Sequence, residues 1–164
     1  PGRLVTCSFG GHDLKEQELR QNLVGIGLDF LTPHRPRTAE SPRQTEARTR
    51  AVLAAMDRLG HPAPVHYQEP FRRGYGAWQP AAEDFLTDLR GAIAGGAAGW
   101  CFHNGAQNKA PDSQPRRSFD LREKRLFDQL DREELRLVRG VGKVVAERNK
   151  IPDHKPKDAS RLSP

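Results

Sequence analysis

Cysteine is nearly missing from this chain. Cys7 and Cys101 are the whole complement, and no CxxC pair stands ready for zinc or for thiol–disulfide exchange. Both sit in apolar strand-like runs, which predicts buried free thiols rather than a disulfide. No apolar run approaches the length of a membrane span and no charged-then-apolar leader opens the chain, so no membrane partner is expected. The phosphate cradles are absent as well: the first turn, Phe9-Gly10-Gly11-His12, is not GxGxxG, and no GxxxxGKS/T occurs. No self-similarity marks a solenoid. The chain also lacks an initiating Met and opens on a strand-like segment at residues 3–9. It reads as the C-terminal part of a longer protein, and the missing leader is therefore silent on secretion.

What remains is 164 residues, 35% hydrophobic and 29% charged, one domain's worth of chain with a real core. The formal charge of +6 raises the question of nucleic acid, but its distribution argues otherwise. From Arg116 onward there are 14 Lys/Arg against 9 Asp/Glu; before it there are 13 against 12. The basicity sits in the last helix and a polar, Pro-bearing tail, and a solvated tail is expected in preference to a nucleic-acid arm.

Apolar runs and helical periodicities alternate four times. Residues 4–9 suit a strand buried on both faces. After Gly10-Gly11, Asp13-Leu14-Lys15-Glu16 has capping-box spacing and opens a helix with Leu19, Leu23 and Ile26 on one face, ended by Gly27. Residues 28–32 form the second strand. Ser41-Pro42 supplies an N-cap and a first-turn proline for a helix that buries Val52, Ala55, Met56 and Leu59 and closes at Gly60. Residues 65–68 form the third strand, followed by an aromatic, Gly-rich loop with Tyr75 and Trp78. A helix from Pro80 carries Phe85, Leu86, Leu89 and Ile93 inward and runs into Gly95-Gly96. Residues 98–103 are the fourth strand. A polar loop leads to a second capping-box spacing, Asp120-Leu121-Arg122-Glu123, and a last helix with Leu126, Phe127, Leu130, Leu137 and Val138 inward.

Strand and helix alternating with short links predict a parallel α/β sheet wound in one hand. In such sheets the working loops follow the strands' C-terminal ends. Those loops hold His12, His34 to Arg37, Glu69 and the pair His103-Asn104. A carboxylate at one strand mouth and an indole in the next strand, Glu69 and Trp100, are the groups that attack an anomeric carbon and floor a sugar ring.

The runs Leu28-Asp29-Phe30-Leu31-Thr32-Pro33-His34, Tyr67-Gln68-Glu69 and Gly99-Trp100-Cys101-Phe102-His103 resemble strands six, seven and eight of a retaining glycoside hydrolase (β/α)8 barrel. The clan meant has its catalytic glutamates after strands four and seven, and the look is closest to cellulase-like, family-5-type domains. The resemblance covers residues 3–138. It implies an α/β fold comprising the second half of the barrel, strands five to eight, over residues 1–139, with a basic helical and flexible C-terminal extension over 140–164. It implies a carbohydrate substrate, no cofactor and no metal. Glu69 falls on the nucleophile, Trp100 on the aromatic floor, and His34 near the end of strand six. His103, Asn104, Tyr75 and Trp78 join them as substrate-binding residues. An eight-stranded barrel takes about 250 residues, so the missing N-terminal half is the expected partner, with self-association if the chain stands alone. No Asn-Glu pair occurs, and the clan's acid/base usually sits in one. This chain by itself is therefore expected to be inactive.

Each residue has a plainer reading. Glu69 could be a loop carboxylate paired with Arg72 or Arg73, Trp100 core, His34 a backbone hydrogen-bond partner and Asp29 structural. His12, His34, His66 and His103, one in or after each strand, raise a metal-dependent hydrolase on the same barrel. A carbohydrate-binding scaffold remnant that has lost its catalytic pair is the non-enzymatic alternative.

Overall fold

The computed structural model describes residues 2–10, 14–74, 77–103, 119, 121–122 and 124–148. Its regular elements alternate: β1 (Ser8–Phe9), α1 (Glu16–Leu19, continuing as a π-helical stretch Arg20–Ile26), β2 (Thr32–Pro33), α2 (Ser41–Arg58), β3 (His66–Tyr67), α3 (Ala82–Gly95), β4 (Gly99–Trp100) and α4 (Arg132–Arg148). A 3₁₀ turn, Leu126–Asp128, precedes α4. Among the described residues all strand pairings are parallel. Ser8 opposes Thr32, Leu31 bridges to Val65, and Tyr67 opposes Trp100, which sets the strand order β1-β2-β3-β4.

The helix boundaries follow from local chemistry. At α1 the backbone N–H of Lys15 donates to Glu18 Oε2 at 2.9 Å, so the first turn is capped three residues on; Asp13, where the spacing predicted the cap, lies outside the described residues. Leu19 and Leu23 are buried, but Ile26 is 60% exposed. The cause is the switch to i→i+5 bonding over Arg20–Ile26, which rotates the last turn off the face that a 3.6-residue period predicts. Gly27, at φ 77°, ends it in the left-handed region. In α2, Ser41 lies inside the helix, and the cap position is Glu40. Helix α4 starts at Arg132, beyond the 120–123 spacing, whose Asp120 and Glu123 lie outside the described residues. Its capping box is Asp131 with Glu134: Asp131 N–H donates to Glu134 Oε2 at 2.7 Å and Glu134 N–H to Asp131 Oδ1 at 2.9 Å.

Two apolar clusters hold these elements together. Leu19, Leu23, Leu31, Met56, Val65 and Tyr67 join α1 and α2 to the first three strands. Phe71, Phe85, Leu86, Leu89, Leu137 and Val144 join α3 to α4, and Trp100 packs against both clusters. Val144 is buried on a helix that runs unbroken through Gly140, and residues 149–164 of the predicted extension lie outside the described residues. Phe127, expected inward, is 60% exposed, because the helix has not yet begun there and no heptad-like face exists for it to join.

Helices α2 and α3 approach closely because α3 carries glycine at the contact. A Cβ on Gly91 would meet Glu46 N at 3.1 Å, and one on Gly95 would meet Thr49 Cβ at 2.6 Å. That closeness brings two threonines of α2 against polar groups of the sheet and α3. Thr49 and Tyr67 share a 2.8 Å hydroxyl–hydroxyl bond, and Thr45 donates to Asp88 Oδ1.

Side chains alternate across the strands. Leu31, Val65, Tyr67 and Trp100 face the helices. Ser8, Thr32, His66, Gln68 and Cys101 share the opposite face, where Gln68 Nε2 lies 3.5 Å from Ser8 Oγ and Cys101 Sγ lies 3.4 Å from His66 Nε2. Cys7 and Cys101 are free thiols, half-buried rather than fully so. No described helix is long and apolar enough to cross a membrane.

Candidate functional site

The C-terminal ends of β2, β3 and β4 converge on one carboxylate. Continuing β3 as a strand would turn Glu69 toward the helices with Tyr67. The chain instead bends at Gln68, and the carboxylate swings over the end of the sheet. His34, two residues after Thr32, and His103, two after Cys101, point from the flanking strands toward it. Glu69 Oε2 lies 3.6 Å from His34 Nδ1, 3.6 Å from His103 Nε2 and 3.4 Å from Arg37 Nη2. About a third of its side chain stays open to solvent (32%), so a ligand can reach it.

The histidines are not equivalent. Burial holds His103 below the usual histidine range; Glu69 opposes this, while Arg72, Arg37 and His34 add to it. His103 is thus neutral near pH 7, and its approach to Glu69 is no ion pair there. Its Nε2 faces Arg72 Nη1 at 3.4 Å, an arrangement in which the arginine donates and the imidazole accepts. His34 Nε2 lies 2.8 Å from Ser8 Oγ. Its partner is that hydroxyl, across β1 and β2, and not a backbone group. The arginine that reaches Glu69 is Arg37, from the loop after β2. Arg73 turns away to α4, where its Nε donates to Asp131 Oδ2 at 2.6 Å.

The two tryptophans lie elsewhere. Trp100 faces the helix layer, where its indole N–H donates to Asp88 Oδ2 at 2.7 Å. It is not the floor beside Glu69 that the resemblance implied, because its register opposite Tyr67 puts it on the helix side of the sheet. Trp78 packs on Phe71 with ring centroids 5.0 Å apart, and Phe71 itself is core. Tyr75, Asn104 and His12 lie outside the described residues. Asp29 serves structurally, as its Oδ2 accepts the Val5 N–H at 2.7 Å. Among the described residues no three His, Cys, Asp or Glu side chains are grouped to hold a metal ion, so the strand-end histidines do not assemble a metal centre there. His66 instead packs beside Gly99 and Cys101, with no space at Gly99 for a side chain.

Sequence reasoning missed Ser8, Gln68 and Asp88. The first two had a signal, since polar residues alternate with apolar ones toward the end of each strand. Asp88 had none: it reads as an ordinary helical carboxylate, yet it is fully buried against Thr45 and Trp100. Desolvation pushes its pKa from 3.8 up to about 6, against the lowering effects of the Thr45 and Trp100 hydrogen bonds and of Arg35. No protein-family model, curated protein or solved structure matches the chain.

Proposed function

We propose that the chain carries the nucleophile half of a retaining glycosidase, acting on a β-linked oligo- or polysaccharide with Glu69 as the nucleophile. On this reading β1 to β4 are strands five to eight of a (β/α)8 barrel. Their polar face, with Ser8, Thr32, His66 and Gln68, is its interior. Consecutive parallel strands with their helices on one side support it.

The observation that carries the reading is Glu69 itself: a part-exposed carboxylate at a strand's C-terminal end, with Arg37 as a cationic neighbour and histidines on both flanks. Glu69 attacks the anomeric carbon as a second carboxyl group protonates the leaving oxygen. Water, activated by that second group, then hydrolyses the glycosyl ester. The second group comes from the strands that precede β1 in the barrel, at a separation of about 5–5.5 Å. No cofactor enters this chemistry. With the Trp100 indole turned to the helix side of the sheet, the substrate's hydroxyls meet His34, His103 and Gln68 rather than an indole face.

The test is covalent. The protein in its natural reading frame is incubated with an activated 2-deoxy-2-fluoroglycoside, and the adduct is mapped by peptide mass spectrometry. The expected adduct sits on Glu69. An adduct on any other residue, or full activity in Glu69→Gln, refutes the assignment. The non-catalytic remnant is favoured by one observation, that the Trp100 indole turns to Asp88 on the helix side of the sheet; saccharide binding without any adduct would select it.

A further inference from the structure

Three polar side chains from three consecutive strand ends line up toward one carboxylate oxygen. Gln68 Nε2 lies 3.5 Å from Ser8 Oγ, Ser8 Oγ lies 2.8 Å from His34 Nε2, and His34 Nδ1 lies 3.6 Å from Glu69 Oε2. The sense of the chain follows from what each group can donate. The Gln68 amide nitrogen only donates, so Ser8 oxygen accepts there, and the serine's own hydrogen is available for His34. A neutral imidazole that accepts at Nε2 carries its proton at Nδ1, the nitrogen that faces the carboxylate. The opposite tautomer would set the Nδ1 lone pair against the Glu69 oxygen, which is repulsive.

We propose that Ser8 and His34 are positioning residues for Glu69, with the Ser8 hydroxyl fixing His34 as the Nδ1–H tautomer that donates to the nucleophile. The inference rests on the reading of Glu69 as nucleophile and adds how that nucleophile is held. The 3.6 Å separation is longer than a hydrogen bond, and a small rotation of either side chain closes it. The other charged and titratable groups that face Glu69 are Arg37, from the same loop as His34, and the neutral His103 with its partner Arg72. Arg37 supplies a charged donor whichever way the imidazole points. The Ser8–His34 pair supplies direction, because an imidazole fixed by a hydroxyl on the neighbouring strand holds one lone-pair side of the oxygen and leaves the other toward the substrate.

The arrangement has the members of a serine hydrolase triad, and the experiment separates the two uses. Nitrogen-15 imidazole correlation spectra of the chain report the His34 tautomer directly, and kcat/KM against pH is measured on the protein in its natural reading frame. Wild type is expected to show His34 as Nδ1–H. Ser8→Ala loses that preference, lowers kcat/KM about tenfold, the loss that one ordinary hydrogen bond of about 1.4 kcal/mol gives, and moves the acidic limb of the profile to higher pH. Ser8→Thr, which keeps the hydroxyl, restores all three. A tautomer or pH profile unmoved in Ser8→Ala, with Glu69 still labelled by the fluoroglycoside, overturns the positioning role alone. Failure to label Glu69 in wild type removes the nucleophile and the positioning role together. Capture of Ser8 by a fluorophosphonate overturns the proposal by making Ser8 itself the attacking group.

Discussion

Replacing Asp88 with asparagine should stabilise the protein near neutral pH, and by an amount that depends on pH. Asp88 is enclosed by α2, α3 and β4, with Thr45 and Trp100 as its hydrogen-bond donors and Arg35 as the nearby cation. Its pKa rises from 3.8 to about 6, chiefly through desolvation. Between those values the folded protein holds a proton that the unfolded chain has released. The contribution of Asp88 to stability is therefore greatest at low pH and falls as pH rises from 3.8 through about 6. A rise of about two pKa units corresponds to a loss of about 3 kcal/mol. The asparagine is neutral throughout and can keep both contacts. Its carbonyl accepts from Trp100, its amide donates to Thr45, and the Thr45 hydroxyl turns its own hydrogen to Ser41 O, 3.2 Å away.

The two proteins should therefore match near pH 4, where Asp88 is protonated, and Asp88→Asn should be more stable by up to about 3 kcal/mol near pH 7. At this chain length that is a melting-temperature gain of roughly 6–12 °C. The measurement is urea unfolding followed by circular dichroism at half-unit steps of pH. The difference between variant and wild type is what counts, because His103, held below the usual histidine range, contributes a slope of opposite sign just below its ordinary pKa. That contribution cancels in the difference. A difference that stays flat from pH 4 to 7, or one that favours wild type as pH rises, would refute the burial argument.

Gly95→Ala should destabilise by about 1–3 kcal/mol in the same assay, since its Cβ would stand 2.6 Å from Thr49 Cβ between two packed helices. Gly142→Ala, with nothing within 4 Å, should instead be neutral or gain up to about 1 kcal/mol, and equal effects at both sites would contradict the packing. Trp100→Phe keeps an aromatic ring but removes the indole N–H that Asp88 accepts, and should cost about 1–3 kcal/mol of stability. Saccharide affinity in that variant should stay within about twofold of wild type, less than 0.5 kcal/mol; a tenfold loss would return Trp100 to the sugar site. Glu69→Gln should abolish turnover in the natural reading frame while leaving saccharide binding largely intact, which calorimetry and rate measurement together decide.

The positions of α2 and α3 were legible in the residues, since their apolar spacing recurs every three to four positions and ends at Gly60 and Gly96, both in the left-handed region. The short strands were legible as apolar runs, and Glu69 as a carboxylate at a strand's end. These are local statements, and local periodicity suffices for them. The site's composition is not local. Ser8 meets His34 across 26 residues, Arg37 meets Glu69 across 32 and Gln68 meets Ser8 across 60. Which residues meet depends on strand register, and a slip of one residue would exchange the two faces of a strand. That is why Trp100, which a sequence reading sets beside Glu69, lies instead against Asp88. It is also why Arg37, and not its rivals Arg72 and Arg73, is the arginine whose guanidinium stands beside the carboxylate. The burial of Asp88 was decided later still, by the glycines that let α3 settle against α2, a contact that no property of Asp88 or its sequence neighbours announces.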